Sequence, residues 1–196
     1  MIPVVLNGSQ QTYMHWKVLN SEYLFNEPWL TIRKEKCELP NGRIMPAYYT
    51  LEYPNWVSAF ALTKSGEVVM VKQYRHGLGV ISTELPGGVV DKGETLEVAI
   101  ARELMEETGY VFESFEFIGK LCANPATTNN YMHMFIARGG EKMGHQKLDD
   151  TEDIEVVIYS IEEVKQLLRE NQIVQSLHTS TIFYAMQKLE IGRAHV

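Results

Sequence analysis

Cysteine is scarce. Cys37 and Cys122 are the two in 196 residues, and their spacing fits neither a zinc motif nor a disulfide framework. They are expected to be buried, reduced core residues of a cytoplasmic protein. No apolar run is long enough to span a membrane, and no charged-then-apolar leader with a cleavage site opens the chain, so neither a membrane partner nor secretion is expected. Cations are outnumbered, 18 Lys and Arg against 25 Asp and Glu, for a formal net charge of −7. That balance argues against a nucleic-acid partner, and an acidic chain that handles an anionic substrate must receive it on bound metal or on local Arg and Lys. Repeats and low-complexity segments are missing as well. What remains is 45% hydrophobic, enough for one domain with a substantial core and a small appendage.

The informative stretch is Gly88–Tyr110, in which a glycine is followed after five residues by Glu94 and after seven more by Arg102-Glu103-Leu104-Met105-Glu106-Glu107-Thr108-Gly109. From Thr95 to Glu107 there is neither Gly nor Pro; Thr95 can cap a helix and Gly109 can end it in the left-handed conformation. At about 100° per residue, Leu96, Ala99, Ile100 and Leu104 form one stripe. Glu103 and Glu107 fall inside that stripe, and Glu106 lies at its edge.

A solvated charged face is the ordinary reading of helical glutamates. Here the carboxylates share the face that should be buried. Taking a charge out of water costs several kcal/mol, against a stability of about 5–15 kcal/mol for a whole domain. Cations must therefore compensate them, with Arg102 as one fixed partner and a divalent metal as the other. Glu103 and Glu107, one turn apart, can offer oxygens to the same hard ion.

Gly88, Glu94, Arg102, Glu103, Leu104, Glu106, Glu107 and Gly109 fill every defining position of the signature of the Nudix hydrolases, which this segment resembles. Tyr110 is aromatic where the commoner residue is aliphatic. The resemblance implies metal-dependent hydrolysis of a diphosphate linkage attached to a nucleoside, with Mg2+, or Mn2+ in its place. It implies Glu103 and Glu107 as principal metal ligands, Glu106 as a further ligand with a catalytic part, the backbone carbonyl of Gly87 as another, and Arg102 as the ion pair that orients Glu103. Glu94 would close the loop or join the metal; the alternative is a surface glutamate.

The resemblance covers residues 13–189 and leads to the ADP-ribose pyrophosphatase branch. Val71-Lys-Gln-Tyr-Arg75 followed by Glu84-Leu-Pro-Gly-Gly88 looks like that branch's lead-in, which implies Arg75 on a phosphate and Glu84 near the substrate. A surface salt bridge is the other reading of Arg75. Pro125 stands fifteen residues past Tyr110, where a proline marks ADP-ribose preference, and Asn124-Pro125 should stiffen the loop that follows. In the acidic run Asp149–Asp153 the branch carries a catalytic base or a further ligand. Asp150 and Glu152 match, and Glu152 is preferred because Asp150 is shorter than the glutamate of many relatives; a solvated acidic turn is the alternative. Trp29 lies where relatives stack an aromatic on adenine, with Trp56 as a second candidate, though an aromatic in a strand is more often core. A substrate arginine of some relatives has no match among Ala47, Tyr48 and Tyr49. His133 reads as a packed histidine.

Around this stretch the periodicity predicts strands at Tyr13–Val18 and Trp29–Arg33, a hairpin of Leu30–Cys37 with Ile44–Glu52 about the turn Pro40-Asn-Gly42, and a hairpin of Val57–Leu62 with Glu67–Gln73 about Thr63–Gly66. The run Val68–Val71 is expected in a central strand. Strands follow at Ile81–Leu85, Phe115–Leu121, Tyr131–Ala137 and Ile154–Tyr159, then a helix Ile161–Glu170 behind the capping box Ser160/Glu163 and a helix Ser176–Leu189. The fold class is α/β: an α/β/α sandwich on a mixed sheet over 53–189, preceded by a small N-terminal antiparallel β region over 1–52. That region resembles the segment through which relatives dimerise and share substrate contacts, so a homodimer is expected. Ile191–Val196 matches the in-frame translation of a common sequencing-adapter string and is read as a non-native tail.

The functional expectation is hydrolysis of ADP-ribose or a related nucleoside diphosphate sugar to a nucleoside monophosphate and a sugar phosphate. The alternatives are a pyrophosphatase for another nucleotide sugar or dinucleotide, and a ligand-binding regulator without turnover. The regulator would normally have lost carboxylates that are all present here.

Overall fold

The computed structural model describes residues 14–193, which fall into two compact units: one runs to Tyr53 and takes in Asn124–Asn129, the other comprises Pro54–Ala123 and the chain from Asn130 onward. The polar start at 7–12, Tyr13 and residues 194–196 of the tail lie outside the described residues.

The first unit is a three-stranded antiparallel sheet of β1 (Lys17–Glu27), β2 (Leu30–Glu38) and β3 (Ile44–Glu52) in that order. The β2–β3 hairpin is the expected one. Its turn closes with Gly42 at φ 77° and the Gly42 N–H on the Leu39 carbonyl at 2.9 Å. β1 differs from the expected Tyr13–Val18: it begins at Lys17 and runs ten residues further. Its apolar alternation is poor because all eleven residues are exposed, so nothing selects one face. Trp29 is not in a strand but in the β1–β2 turn behind Pro28. Asn124–Asn129 is fastened to β3: the Leu51 N–H donates to the Thr127 carbonyl at 2.7 Å and the Tyr48 hydroxyl to the Ala126 carbonyl at 2.5 Å.

The second unit holds β4 (Trp56–Thr63), β5 (Val68–Arg75), β6 (Val80–Glu84), β7 (Gly87–Val89), α1 (Leu96–Thr108), β8 (Tyr110–Val111), β9 (Ser114–Leu121), β10 (Met132–Lys142), β11 (Ile154–Tyr159), α2 (Ile161–Arg169) and α3 (Ser176–Arg193). The sheet order is β11-β5-β4-β10-β8, with β6 on β5, β7 on β4 and β9 on β10. β4 and β10 pair in parallel and the other pairs are antiparallel, so the sheet is mixed as expected. β5 sits between β11 and β4, and Val68–Val71 is fully buried, as a central strand requires.

Alternate residues of the sheet face opposite layers. Phe60, Met70 and Ile136 pack with Val164 of α2 and Leu177 and Ile182 of α3, while Val57, Ala59 and Phe135 pack with Ala99, Ile100 and Leu104 of α1. This is the expected sandwich, with two helices on one side and one on the other. α3 runs to Arg193 rather than stopping at Leu189, since no proline or turn signal ends it there.

β4 and β5 pair at only two positions, Ala61↔Val69 and Leu62↔Val68, and then part. β6 follows β5 and β7 follows β4, so the link Leu85-Pro86 bridges the opening, with the Ala59 N–H on the Pro86 carbonyl at 3.2 Å. This splayed hairpin delivers Glu84 and the two glycines to one place, directly before α1. Thr95 caps α1 and Gly109 ends it at φ 72°.

Because Leu104 is wholly buried against the sheet, Leu104→Ala should lower the stability of the fold by about 2–5 kcal/mol. Urea unfolding followed by far-UV circular dichroism reads this directly, and an unchanged midpoint would contradict the assigned packing of α1.

Candidate active site

The glutamates of α1 descend into the protein in steps, with Glu106 side-chain exposure at 40% and Glu103 at 13%, and Glu107 at 5% as a residue. Glu107 meets the loop before the helix, where the Gly87 N–H donates to its Oε2 at 2.8 Å. Burial pushes its carboxyl up to about 8, the Glu103 and Glu152 charges add to this, and the Gly87 N–H and Arg75 oppose it. Burial likewise raises Glu103, opposed by Arg102 and assisted by Glu106 and Glu152.

Arg102 gathers the remaining carboxylates. Its Nε and Nη2 donate to the two oxygens of Glu94, both at 3.0 Å, its Nη1 to Glu103 at 2.9 Å and Glu106 at 3.0 Å, and its Nη2 also to the Val89 carbonyl at 2.9 Å. The hydrogen bond from Arg102 holds Glu94 below the usual carboxylate range. Glu94 thus closes the loop by anchoring Arg102.

The glycines leave room for this arrangement. A Cβ on Gly88 would lie 2.5 Å from the carboxyl carbon of Glu103, and one on Gly87 would collide with the backbone of Val57 and Ser58. Residue 88 is therefore a cradle for the Glu103 carboxylate.

Arg75 and Glu84 form a second pair. Nε and Nη2 of Arg75 grip the two oxygens of Glu84 at 2.9 and 2.5 Å, with the Arg75 side chain 49% exposed and Glu84 1%. Burial pushes the Glu84 carboxyl up, but the Arg75 hydrogen bond and the nearby charges outweigh it and hold it below the usual range. The hydrogen bonds that Arg75 donates to Glu84 raise its pKa, and the charges of Glu107 and Glu152 raise it further, so both arginines belong to one electrostatic neighbourhood.

Glu152 and Asp150 are exposed in the turn before β11, where the Asp149 N–H donates to Glu152 Oε2 at 3.0 Å. Gln146 ties this segment down: its Nε2 donates to the Glu107 carbonyl at 2.7 Å and the Ile154 carbonyl at 2.8 Å. Gln146 carries no sequence signal, and neither does His178 of α3, whose Nε2 lies 3.4 Å from Glu84. Trp29, 77% exposed, and Pro125 belong to the first unit. Trp56 packs on the core beside α3. Cys37 is buried as expected, whereas Cys122 is only partly buried because β9 ends just before it; neither is in a disulfide. His133 is packed, with neither ring nitrogen hydrogen-bonded.

Among the described residues, no three His, Cys, Asp or Glu side chains stand as a ready-made metal cage. Glu103 and Glu106 turn to Arg102, and Glu107 to the Gly87 N–H. The donor set still suits a hard divalent ion: carboxylate oxygens only, with Glu107 pushed up to about 8 by burial and by the neighbouring charges of Glu103 and Glu152.

Residues 53–178 match the NUDIX domain, and residues 16–51 match the nucleoside diphosphate sugar hydrolase N-terminal domain. The chain belongs to the Nudix family and is a Nudix hydrolase. It is 30% identical to a methanol dehydrogenase activator of Bacillus methanolicus over 91% of this chain and 94% of that one. It is 29% identical, over the same shares, to an ADP-ribose pyrophosphatase of Bacillus subtilis (strain 168). In fold it resembles the crystal structure of an ADP compounds hydrolase, at a TM-score of 0.81 and 21% identity, over 92% of this chain and 97% of that one.

Burial lowers the pKa of His178 from 6.5 to about 4, with Arg75 adding to the effect and Glu84 opposing it. Between those values the unfolded chain binds the extra proton, so the contribution of His178 to stability is full above about 6.5 and lost as pH falls towards 4. Urea midpoints of the wild type should fall more steeply over this window than those of His178→Gln; parallel profiles would contradict a buried neutral imidazole.

Proposed function

We propose that this protein hydrolyses the diphosphate of ADP-ribose or a closely related nucleoside diphosphate sugar, releasing a nucleoside monophosphate and a sugar phosphate. The observation that carries the reading is the gathering of Glu103, Glu107 and Arg75 in one electrostatic neighbourhood with Glu152, on a Nudix domain joined to a nucleoside diphosphate sugar hydrolase N-terminal domain. The names of several relatives support the choice of substrate.

Glu103 and Glu107 would hold the divalent ion, Mg2+ or Mn2+, with Glu106 and the Gly87 carbonyl as further ligands. Such an ion supplies charge neutralisation at the phosphoryl oxygens and lowers the pKa of the attacking water. Arg102 holds Glu103 in place. Arg75 spends Nε and Nη2 on Glu84 and offers its remaining N–H groups to a phosphoryl oxygen. Glu152, in the tethered turn, takes the proton of the attacking water, and Asp150 in the same turn is the second candidate for that role. Trp29 and Pro125 are the candidates for substrate selection.

The first unit, over 1–52, is also read as the dimerisation region. Every residue of β1 is exposed, including Val18, Leu19, Tyr23, Leu24 and Phe25, and Cys37 is the one buried apolar side chain of that unit among the described residues. Apolar side chains exposed along this strand support a homodimer. The absence of disulfides at Cys37 and Cys122 supports a cytoplasmic setting.

The deciding assay offers ADP-ribose, other nucleotide sugars, NADH and dinucleotide polyphosphates with Mg2+ or Mn2+, and Glu107→Gln as control. AMP should appear from ADP-ribose and vanish in the control and on chelation. Turnover of another substrate alone would move the assignment to a different pyrophosphatase, and binding without turnover would make the protein a regulator. Glu152→Gln should slow turnover about 10²–10⁴-fold with the fold intact; an unchanged rate removes Glu152 from the mechanism.

A further inference from the structure

Behind Arg75 lies a buried line of polar contacts in which Ser58 and His178 have no part in the chemistry above. His178 of α3 places Nδ1 3.4 Å from the Ser58 hydroxyl of β4 and Nε2 3.4 Å from Oε2 of Glu84, the carboxylate that holds Arg75. All three of Ser58, Glu84 and His178 are buried, and the line joins β4, β5, β6 and α3.

Burial keeps the imidazole neutral, so it carries a single N–H. A carboxylate accepts and cannot donate, so that proton belongs on Nε2, facing Glu84, and Nδ1 keeps its lone pair for the Ser58 hydroxyl. The charge of Glu84 is already balanced by Arg75, so a second cation is not what the site requires. Filling space is not a sufficient reason either, since an aliphatic side chain would do so without burying polar atoms.

What one guanidinium cannot do is fix the carboxylate plane. A forked arginine–carboxylate pair is coplanar, and the two groups can swing together. A second contact at Oε2 from a helix on the far side of the sheet stops the swing. The plane of Glu84 then sets the direction in which Arg75 offers Nη1.

We propose that His178 is a positioning residue for the arginine that receives the diphosphate, acting through Glu84 to fix the plane in which Arg75 presents its outer N–H groups. This rests on the assignment of Arg75 to the substrate made above.

A double-mutant cycle on ADP-ribose hydrolysis at saturating Mg2+ tests it. His178→Leu keeps the bulk and removes both nitrogens, and it should lower kcat/KM about tenfold. His178→Gln, whose amide nitrogen can donate to Glu84, should recover most of that loss. In the Arg75→Ala background, His178→Leu should add little to the loss caused by Arg75→Ala alone. The same factor in both backgrounds, or a Leu variant as active as wild type, overturns the proposal. If Arg75→Ala itself costs nothing, the assignment of Arg75 fails and this inference falls with it; a damaging Arg75→Ala with full additivity sinks the inference alone. Should His178→Leu fail to fold, Ser58→Ala takes its place in the cycle. It removes only the hydroxyl at Nδ1, its smaller loss should likewise disappear without Arg75, and persistence of that loss overturns the proposal.

Discussion

Everything around α1 follows from one imbalance: more carboxylates are brought into a partly buried space than there are cations to meet them. Glu84, Glu94, Glu103, Glu106, Glu107 and Glu152 share a neighbourhood with two arginines. The protein's own charges settle most of it. Arg102 satisfies Glu94 and pairs with Glu103 and Glu106, and Arg75 satisfies Glu84. Glu107 bonds to an N–H rather than a guanidinium, and burial, with the charges of Glu103 and Glu152, raises its proton affinity. Raised proton affinity in a buried carboxylate is the ground on which Glu107 is proposed above as a metal ligand.

The fold builds this neighbourhood by failing to complete a hairpin. Had β4 and β5 stayed paired beyond Ala61↔Val69, no gap would exist for the Glu84–Gly88 link. Because they part, β6 and β7 each find a strand edge, and the link runs against the C-terminal half of α1, with the Gly87 N–H on Glu107 and Gly88 against Glu103. The two glycines then follow from sterics: residue 87 touches the backbone of β4, and residue 88 touches the carboxylate of Glu103. The Gly-Gly pair is thus a packing requirement of the site, imposed from both sides.

Much of this was legible in the sequence wherever a local pattern carried it. Thr95 and Gly109 bounded α1, Pro40–Gly42 marked the β2–β3 turn, and the periodicity of Leu96, Ala99, Ile100 and Leu104 put Glu103 and Glu107 on the inner face. The full extent of β1 escaped because a strand exposed on every residue has no face to alternate about. β7 and β8 escaped because three and two residues are too few for a period. Gln146 and His178 escaped for a different reason. Each has a partner distant in the chain, with His178 120 positions from Ser58 and Gln146 39 from Glu107, and only the folded register brings them together.

The two arginines show how the same residue type divides into different work. Arg102 bonds with three carboxylates and a carbonyl, and its side chain is 28% exposed, so little of it is left for a ligand. It holds the box together. Arg75 has one carboxylate partner, stands half exposed, and feels the charges of Glu107 and Glu152 without bonding to them. A guanidinium with a single buried partner keeps donors for an incoming anion and has its direction set from behind. That asymmetry is the ground on which Arg102 is read as a structural cation and Arg75 is proposed as a recognising one.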